Sequence, residues 1–292
     1  MRSIADILRE EVRHLGDTLF LDLATARIEV QCLLQHVLCV QRAYLLAHPE
    51  QILTESQQCD FDTLLVSRLR GEPIAHLLGE REFFGLNLKV SPATLIPRPD
   101  TELIVELALN RIPQAQPYRV LDMGTGSGAI ALAIAKNKPN AQVVAVDASQ
   151  EALEVAIDNA GRLDIANVHF LQSDWFSSLA GQSFDLIVSN PPYIAAGDIH
   201  LSQGDLRFEP LSALASGVDG LDDIRRIIDV APEYLTSNAW LLLEHGYDQA
   251  GSVRELLVQR GFVDVFSAKD IAGIERVSGG CFNKAKQNQE IE

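Results

Sequence analysis

Three apolar stripes at helical spacing occupy the first quarter of the chain. Ile4, Leu8, Val12 and Leu15 form one, Leu33, Leu34, Val37 and Leu38 a second, and Phe61, Leu64, Leu65 and Leu69 a third. Recurrence at three and four residues marks one face of an amphipathic helix. Breaks are expected near Gly16-Asp17, His48-Pro49 and Gly71-Glu72-Pro73. The pattern predicts a small helical domain with its own core over residues 1–78. From Glu80 to Ser91 the period drops to two: Phe84, Leu86, Leu88 and Val90 alternate with Gly85, Asn87, Lys89 and Ser91, as in a strand or hairpin. Pro92, Pro97 and Pro99 then punctuate the chain, so residues 79–97 read as a hairpin and connector.

Beyond Thr101 the two patterns alternate. Helices are expected over Thr101–Arg111, Ala129–Lys136, Glu151–Gly161, Ile224–Leu235 and Val253–Arg260. Strands are expected at Val120-Leu121, Gln142–Val146, Val168–Leu171, Phe184–Ser189, Ala239–Glu244 and Val263–Ser267, with a last short one at Arg276–Ser278. Such alternation predicts an α/β domain over residues 98–284, built on a doubly wound, mostly parallel seven-stranded sheet. A polar tail over 285–292 is expected to fray.

Composition narrows the function. The formal charge is −16 over 292 residues, and no Lys/Arg cluster interrupts the acidity. Nucleic-acid affinity rests largely on cations that neutralise phosphates, so no direct nucleic-acid partner is expected. No apolar run approaches membrane-spanning length and the start has no signal-peptide h-region, so a cytoplasmic protein without a membrane partner is expected. Cys32, Cys39, Cys59 and Cys281 form no CxxC pair and the seven histidines form no HExxH; reduced, buried thiols and no metal are expected. Nothing in the chain calls for an oligomer, and a monomer is expected.

Two loops carry the candidate chemistry. Asp122-Met123 leads into Gly124-Thr125-Gly126-Ser127-Gly128, between a strand and an Ala-rich helix. Glycines let a backbone turn tightly and approach a ligand, and the helix start offers free N–H groups. Gly124, Gly126 and Ala129 also satisfy the dinucleotide pattern, so spacing alone leaves S-adenosyl-L-methionine and NAD both open. Asp147, at the end of the next strand, suits a ribose hydroxyl and serves either cofactor. Asp122 is placed to meet an amino-acid ammonium and to repel a pyrophosphate. Ser173-Asp174-Trp175 follows a further strand, where a polar pair and an aromatic ring suit an adenine. The second loop is Asn190-Pro191-Pro192-Tyr193, directly after the apolar run Phe184–Ser189. Neither proline has an N–H and both have fixed φ, so the corner is stiff and rich in acceptors. The Asn190 side-chain oxygen and the Pro191 carbonyl are placed to receive the two hydrogens of one planar NH₂ group, with the Tyr193 ring to stack on its carrier. That edge holds amines and has no hydride-transfer machinery, which favours S-adenosyl-L-methionine. Glu244 and His245 end the strand Ala239–Glu244, and Glu209 is placed to brace a loop over the cleft.

With these loops in place, the chain closely resembles the release factor glutamine methyltransferases. The resemblance covers nearly the whole chain. It includes Gly71-Glu72-Pro73-Ile74-Ala75-His76, Leu95-Ile96-Pro97-Arg98-Pro99-Asp100-Thr101-Glu102, Asp122–Gly128, Asn190–Tyr193 and Arg207-Phe208-Glu209-Pro210-Leu211. It implies a class I, Rossmann-like methyltransferase domain that methylates the glutamine amide of the Gly-Gly-Gln motif in peptide chain release factors. By the same resemblance, Gly124 to Gly128, Asp147, Trp175 and Asn190 contact S-adenosyl-L-methionine. Asn190, Pro191, Pro192 and Tyr193 hold the glutamine, and the helical N-terminal domain helps grip the release factor. The chain departs from the family around Arg27-Ile28-Glu29-Val30-Gln31 and at Gly280-Cys281-Phe282-Asn283, which bears on partner contacts and the last strand. The rival readings are a nucleic-acid amino-methyltransferase, which would present a flipped adenine or guanine to the same edge, a binding module that kept the fold and lost catalysis, and an NAD-dependent dehydrogenase.

Overall fold

A computed structural model describes residues 1–114 and 116–284; the polar tail over 285–292 lies outside the described residues. The chain divides into two units, Met1–Gly79 and the chain from Glu80 onward.

The first unit holds five helices: α1 (Ile4–Leu19), α2 (Leu23–Leu38), α3 (Arg42–Ala47), α4 (Glu55–Leu69) and α5 (Ile74–Leu78). Side-chain caps set the starts of the three long ones. Ser3 accepts from Asp6 N, Asp22 accepts from Ala24 N and Thr25 N, and Thr54 forms a reciprocal capping box with Gln57, each satisfying helix N–H groups that have no partner within the helix. Ile4, Ile7, Leu15, Leu33, Leu34 and Phe61 are fully buried in a single cluster. The break expected at Gly16-Asp17 falls instead at Phe20, which ends α1 in the left-handed region. Gly16 serves proximity rather than termination: a Cβ there would lie 3.3 Å from the Leu21 carbonyl and 3.8 Å from Ala26 Cβ. In the divergent stretch 27–31, Glu29 receives a two-pronged bond from buried Arg68, at 2.7 and 3.1 Å.

The second unit opens with a hairpin, β1 (Glu80–Phe83) and β2 (Leu86–Lys89). The sequence reads this stretch as hairpin and connector; in the structure Phe83, Leu86 and Leu88 of the hairpin pack into the core of the second unit. There follow α6 (Glu102–Arg111), β3 (Tyr118–Met123), α7 (Ala129–Asn137), β4 (Ala141–Asp147), α8 (Gln150–Arg162), β5 (Val168–Gln172) and β6 (Phe184–Ser189). After a long loop come α9 (Asp222–Tyr234), β7 (Leu235–Glu244), α10 (Ala250–Gln259), β8 (Val263–Lys269) and β9 (Glu275–Phe282). The sheet has seven strands in the order β5-β4-β3-β6-β7-β9-β8. Among the described residues, β9 alone runs opposite to the other strands of the sheet, pairing antiparallel with both β7 and β8. Apolar clusters fill both faces, as a sheet covered by helices requires.

The last strand is longer than the expected Arg276–Ser278. Gly279 and Gly280, beyond the expected end, both pair in the ladder. A Cβ on Gly279 would meet the Leu241 carbonyl at 2.6 Å and Leu242 Cδ2 at 2.6 Å; glycine is there because neighbours are close, not because the strand ends. The cysteines also differ from expectation. Cys281 alone is buried, while Cys39 and Cys59 are exposed and Cys32 is half-buried.

Candidate active site

Strand order reverses between β3 and β6, which makes their carboxyl ends the switch point where open α/β sheets bind ligands. Register puts Met123 opposite Ser189, so the glycine loop and Asn190 leave neighbouring strands side by side. Ser189 Oγ ties the two ends by donating to the Met123 carbonyl at 2.7 Å. All three loop glycines take positive φ, +69°, +56° and +86° for Gly124, Gly126 and Gly128, a region costly for a side chain. The Val146 carbonyl accepts from Gly124 N and Thr125 N at 2.9 Å each, and Asp147 Oδ2 accepts from Gly126 N at 2.9 Å. The loop is thereby strapped to the end of β4.

A cavity of about 490 Å³ opens at this point, within the usual range for small-molecule sites. Its wall includes Gly124 to Ser127, Asp147, Trp175, Asn190 and Pro192, with Thr101 and residues 92–95 on another side. Trp175 itself has positive φ, +50°. Its indole N–H donates to Asp223 Oδ1 at 3.1 Å, and Ser216 Oγ donates to Asp223 Oδ2 at 2.7 Å, so the ring is held from behind. A side chain on Gly124 would meet that ring at 3.7 Å; glycine keeps the space before it clear. Burial raises the Asp147 carboxyl, and backbone N–H groups of Ser149 and Gly126 draw it back.

The second edge of the cavity is the corner after β6. Asn190 Nδ2 donates to Thr101 Oγ1 at 3.2 Å, and the Asn190 and Pro192 side faces the cavity. The Tyr193 hydroxyl donates to Glu244 Oε1 at 3.3 Å, and Gln249 Nε2 donates to the Tyr193 carbonyl at 2.9 Å. Glu244 is fully enclosed, and burial pushes its carboxyl up to about 7 against the nearby Thr101 and Tyr193 hydroxyls. Further along, Glu209 accepts from Ile96 N at 3.1 Å and from the Arg98 guanidinium. This pins the loop after the corner to the segment before α6, and both segments border the cavity.

Two family models match the chain. One described as PrmC N-terminal domain covers residues 13–79, and one described as Methyltransferase small domain covers 101–205. The release factor glutamine methyltransferase of Escherichia coli (strain K12) is 52% identical over 254 residues, 87% of this chain and 91% of that protein. The chain belongs to the release factor glutamine methyltransferases. The relative of the same description from Vibrio cholerae is 50% identical over 89% of this chain and 91% of its own length. A methyltransferase from Pyrococcus furiosus shares the fold, with a TM-score of 0.53 at 20% identity over 76% of this chain and 99% of that one. As a member of this family the chain is a protein-(glutamine-N5) methyltransferase, an enzyme, with a seven-stranded methyltransferase sheet and a helical N-terminal region.

Within this methyltransferase, the residues singled out from sequence fall into two groups. Gly124, Thr125, Gly126, Ser127, Asp147, Ser173, Asp174, Trp175, Asn190 and Pro192 share the wall of one cavity, while Gly128, Pro191 and Tyr193 lie outside that wall. Gly128 is a packing position, where a Cβ would meet Leu132 Cδ1 at 3.0 Å and Ala156 Cβ at 3.2 Å. Asp122 does not reach the cavity as expected. It is fully buried, and its Oδ2 accepts from Thr125 Oγ1 at 2.7 Å and Ala131 N at 3.1 Å, so it braces the glycine loop from beneath. Ser173 Oγ is engaged with its own loop, donating to the Trp175 carbonyl at 2.7 Å, and Asp174 pairs with Arg226 at 2.9 Å through both oxygens. His245 turns to Ser278 Oγ at 2.8 Å and the Gly246 carbonyl at 2.9 Å. Sequence reasoning missed Thr101 and Asn159. Buried Asn159 accepts from Lys89 N at 2.7 Å and donates to the carbonyls of Lys89 and Ser127 at 2.9 Å each, joining β2 to the glycine loop. Thr101 lies inside the Leu95–Glu102 run that carries the family resemblance, but a threonine before a helix reads as a cap.

Proposed function

We propose that this enzyme binds S-adenosyl-L-methionine in the cavity at the switch point and methylates the side-chain amide nitrogen of the glutamine in the Gly-Gly-Gln motif of peptide chain release factors. The observation that carries the reading is that Asn190 and Pro192 share one cavity wall with Gly124 to Ser127 and Asp147. An amide-holding corner and a nucleotide-type cradle thus open on the same space. The residues fit the cofactor: the cleared space before Trp175 suits an adenine, and Asp147 keeps lone pairs free for ribose hydroxyls. When bound, the cofactor supplies an electrophilic methyl carried on a sulfonium.

A carboxamide nitrogen is a weak nucleophile because its lone pair is delocalised into the carbonyl. The chain's task is alignment. Asn190 Oδ1 takes one N–H of the substrate amide and the Pro191 carbonyl takes the other, which favours a more tetrahedral nitrogen aimed at the methyl. Orientation of this kind contributes up to ~7–11 kcal/mol in well-aligned systems. With the methyl donor held by the glycine loop and Asp147, the nitrogen–carbon bond would form as the donor's sulfur–carbon bond broke, and the surplus N–H proton would leave to water, so no strong base is required beforehand.

The substrate is read as a protein rather than a nucleic acid because the chain carries a charge of −16, which opposes phosphate backbones. We take it to act in the cytoplasm as a monomer. Asn190→Ala is expected to leave cofactor binding largely intact and to cost ~3–4 kcal/mol in transfer, the scale of one lost preorganised polar contact. Calorimetric titration with the cofactor beside a methyl-transfer assay checks this; near-normal turnover would refute the assigned role.

A further inference from the structure

The Asn190 carboxamide is anchored through its nitrogen. Nδ2 donates to Thr101 Oγ1 at 3.2 Å, a contact spanning 89 residues of sequence. Thr101 stands directly before α6, where threonine ordinarily caps the helix, yet its side chain makes no capping bond and the residue is only 4% exposed. Behind it lies Glu244, 1% exposed. Glu244 Oε1 accepts from Tyr193, and Oε2 has no hydrogen-bond partner among the described residues. The Thr101 hydroxyl is among the neighbours that stabilise the ionised Glu244 carboxylate.

A hydroxyl offers one proton and two lone pairs, whereas a carboxylate only accepts. Above about pH 7, where Glu244 is ionised and can only accept, a Thr101 proton turned toward it leaves lone pairs alone to face Asn190. The carboxamide must then present NH₂ to Thr101 and Oδ1 to the cavity. In the flipped state, amide oxygen would oppose hydroxyl lone pairs. The Asn190 NH₂ would also meet the NH₂ of an incoming primary amide, and two donors cannot bond.

We propose that Thr101, backed by Glu244, is a positioning residue that sets the flip state of the Asn190 carboxamide, so that an acceptor and not a donor meets the substrate amide. This rests on the amide-methylating reading above and deepens it. A cap role predicts lost stability with unchanged chemistry per folded molecule; a positioning role predicts lost turnover in a protein that still binds cofactor.

The test is steady-state methylation of purified release factor by wild type, Thr101→Val and Thr101→Ser, with cofactor affinity measured by calorimetry on each as the control for folding. Thr101→Val keeps the volume and removes the hydroxyl. The expected loss in kcat is about tenfold, the scale of one positioning hydrogen bond, with cofactor affinity within about twofold of wild type. Thr101→Ser restores most of the rate. In an Asn190→Asp background, whose carboxylate presents an oxygen whichever way it turns, Thr101→Val has little further effect on the residual rate. Wild-type kcat in Thr101→Val would overturn the proposal while leaving the methylation reading intact, as would failure of the serine variant to recover. Wild type that methylates no release factor would instead overturn the reading beneath it.

Discussion

Asp122 and Glu244 are carboxyls that burial holds at about 7. A raised folded-state value means that the native protein keeps protons the unfolded chain releases. The stability linked to these protons is fully present below the ordinary carboxyl range and is lost as pH rises toward and through 7. The shifts correspond to roughly 3–4 kcal/mol each. The free energy of unfolding is therefore expected to fall between about pH 4 and about pH 7, and Glu244→Gln to remove part of that slope. Urea titrations at several pH values measure it; a wild-type slope that rises over this window would contradict the burial argument. Asn159 supplies a second residue-scale prediction. Its removal strands the groups it bonds on Lys89 and Ser127, so Asn159→Ala is expected to cost about 2–3 kcal/mol and to weaken cofactor binding. Asn159 was hidden in the sequence because its partner is remote: it bonds across 70 residues to Lys89, and no local pattern encodes such a contact. By contrast, Gly124 and Gly126 were legible because a strand, three closely spaced glycines and a helix start are neighbours in sequence.

At the scale of elements, buried parallel strands read plainly. Phe184–Ser189 is an unbroken apolar run because both faces of the sheet are covered, and its bounds in sequence match those of β6. Glycine is where the reading slipped. Gly16 looks like punctuation, yet it sits inside α1 with the Leu21 carbonyl 3.3 Å from where a Cβ would stand, and Gly279 sits inside β9 with the Leu241 carbonyl at 2.6 Å. Sequence shows that a side chain is missing; only packing shows whether a turn or a contact required it. Gly279→Ala, with a Cβ 2.6 Å from the Leu241 carbonyl, is expected to cost about 2–4 kcal/mol as β7 and β9 are forced apart. Gly161→Ala has open space within α8 and should be neutral or stabilising by up to about 1 kcal/mol. Thermal melts of the two variants compare them directly, and equal melting points would count against the close-packing account.

At the scale of the whole chain, the charge of −16 is the ground for proposing a protein rather than a nucleic-acid substrate, a choice that the cavity alone leaves open. A planar primary amide and the exocyclic amine of a base offer the same two hydrogens. An RNA strand, however, brings a phosphate charge with every nucleotide. Incorporation of labelled methyl into RNA is expected to stay at background both at low ionic strength and at higher salt, where repulsion between the acidic chain and phosphates is screened. The central claim is that the corner after β6 grips a glutamine amide while the glycine loop holds the methyl donor beside it. Mass spectrometry of a purified release factor, incubated with this enzyme and S-adenosyl-L-methionine, tests it most directly. The account predicts a single added methyl on the glutamine of the Gly-Gly-Gln peptide with wild type and almost none with Asn190→Ala. An unmodified glutamine with the wild-type enzyme, or a methyl placed on another residue, would contradict it.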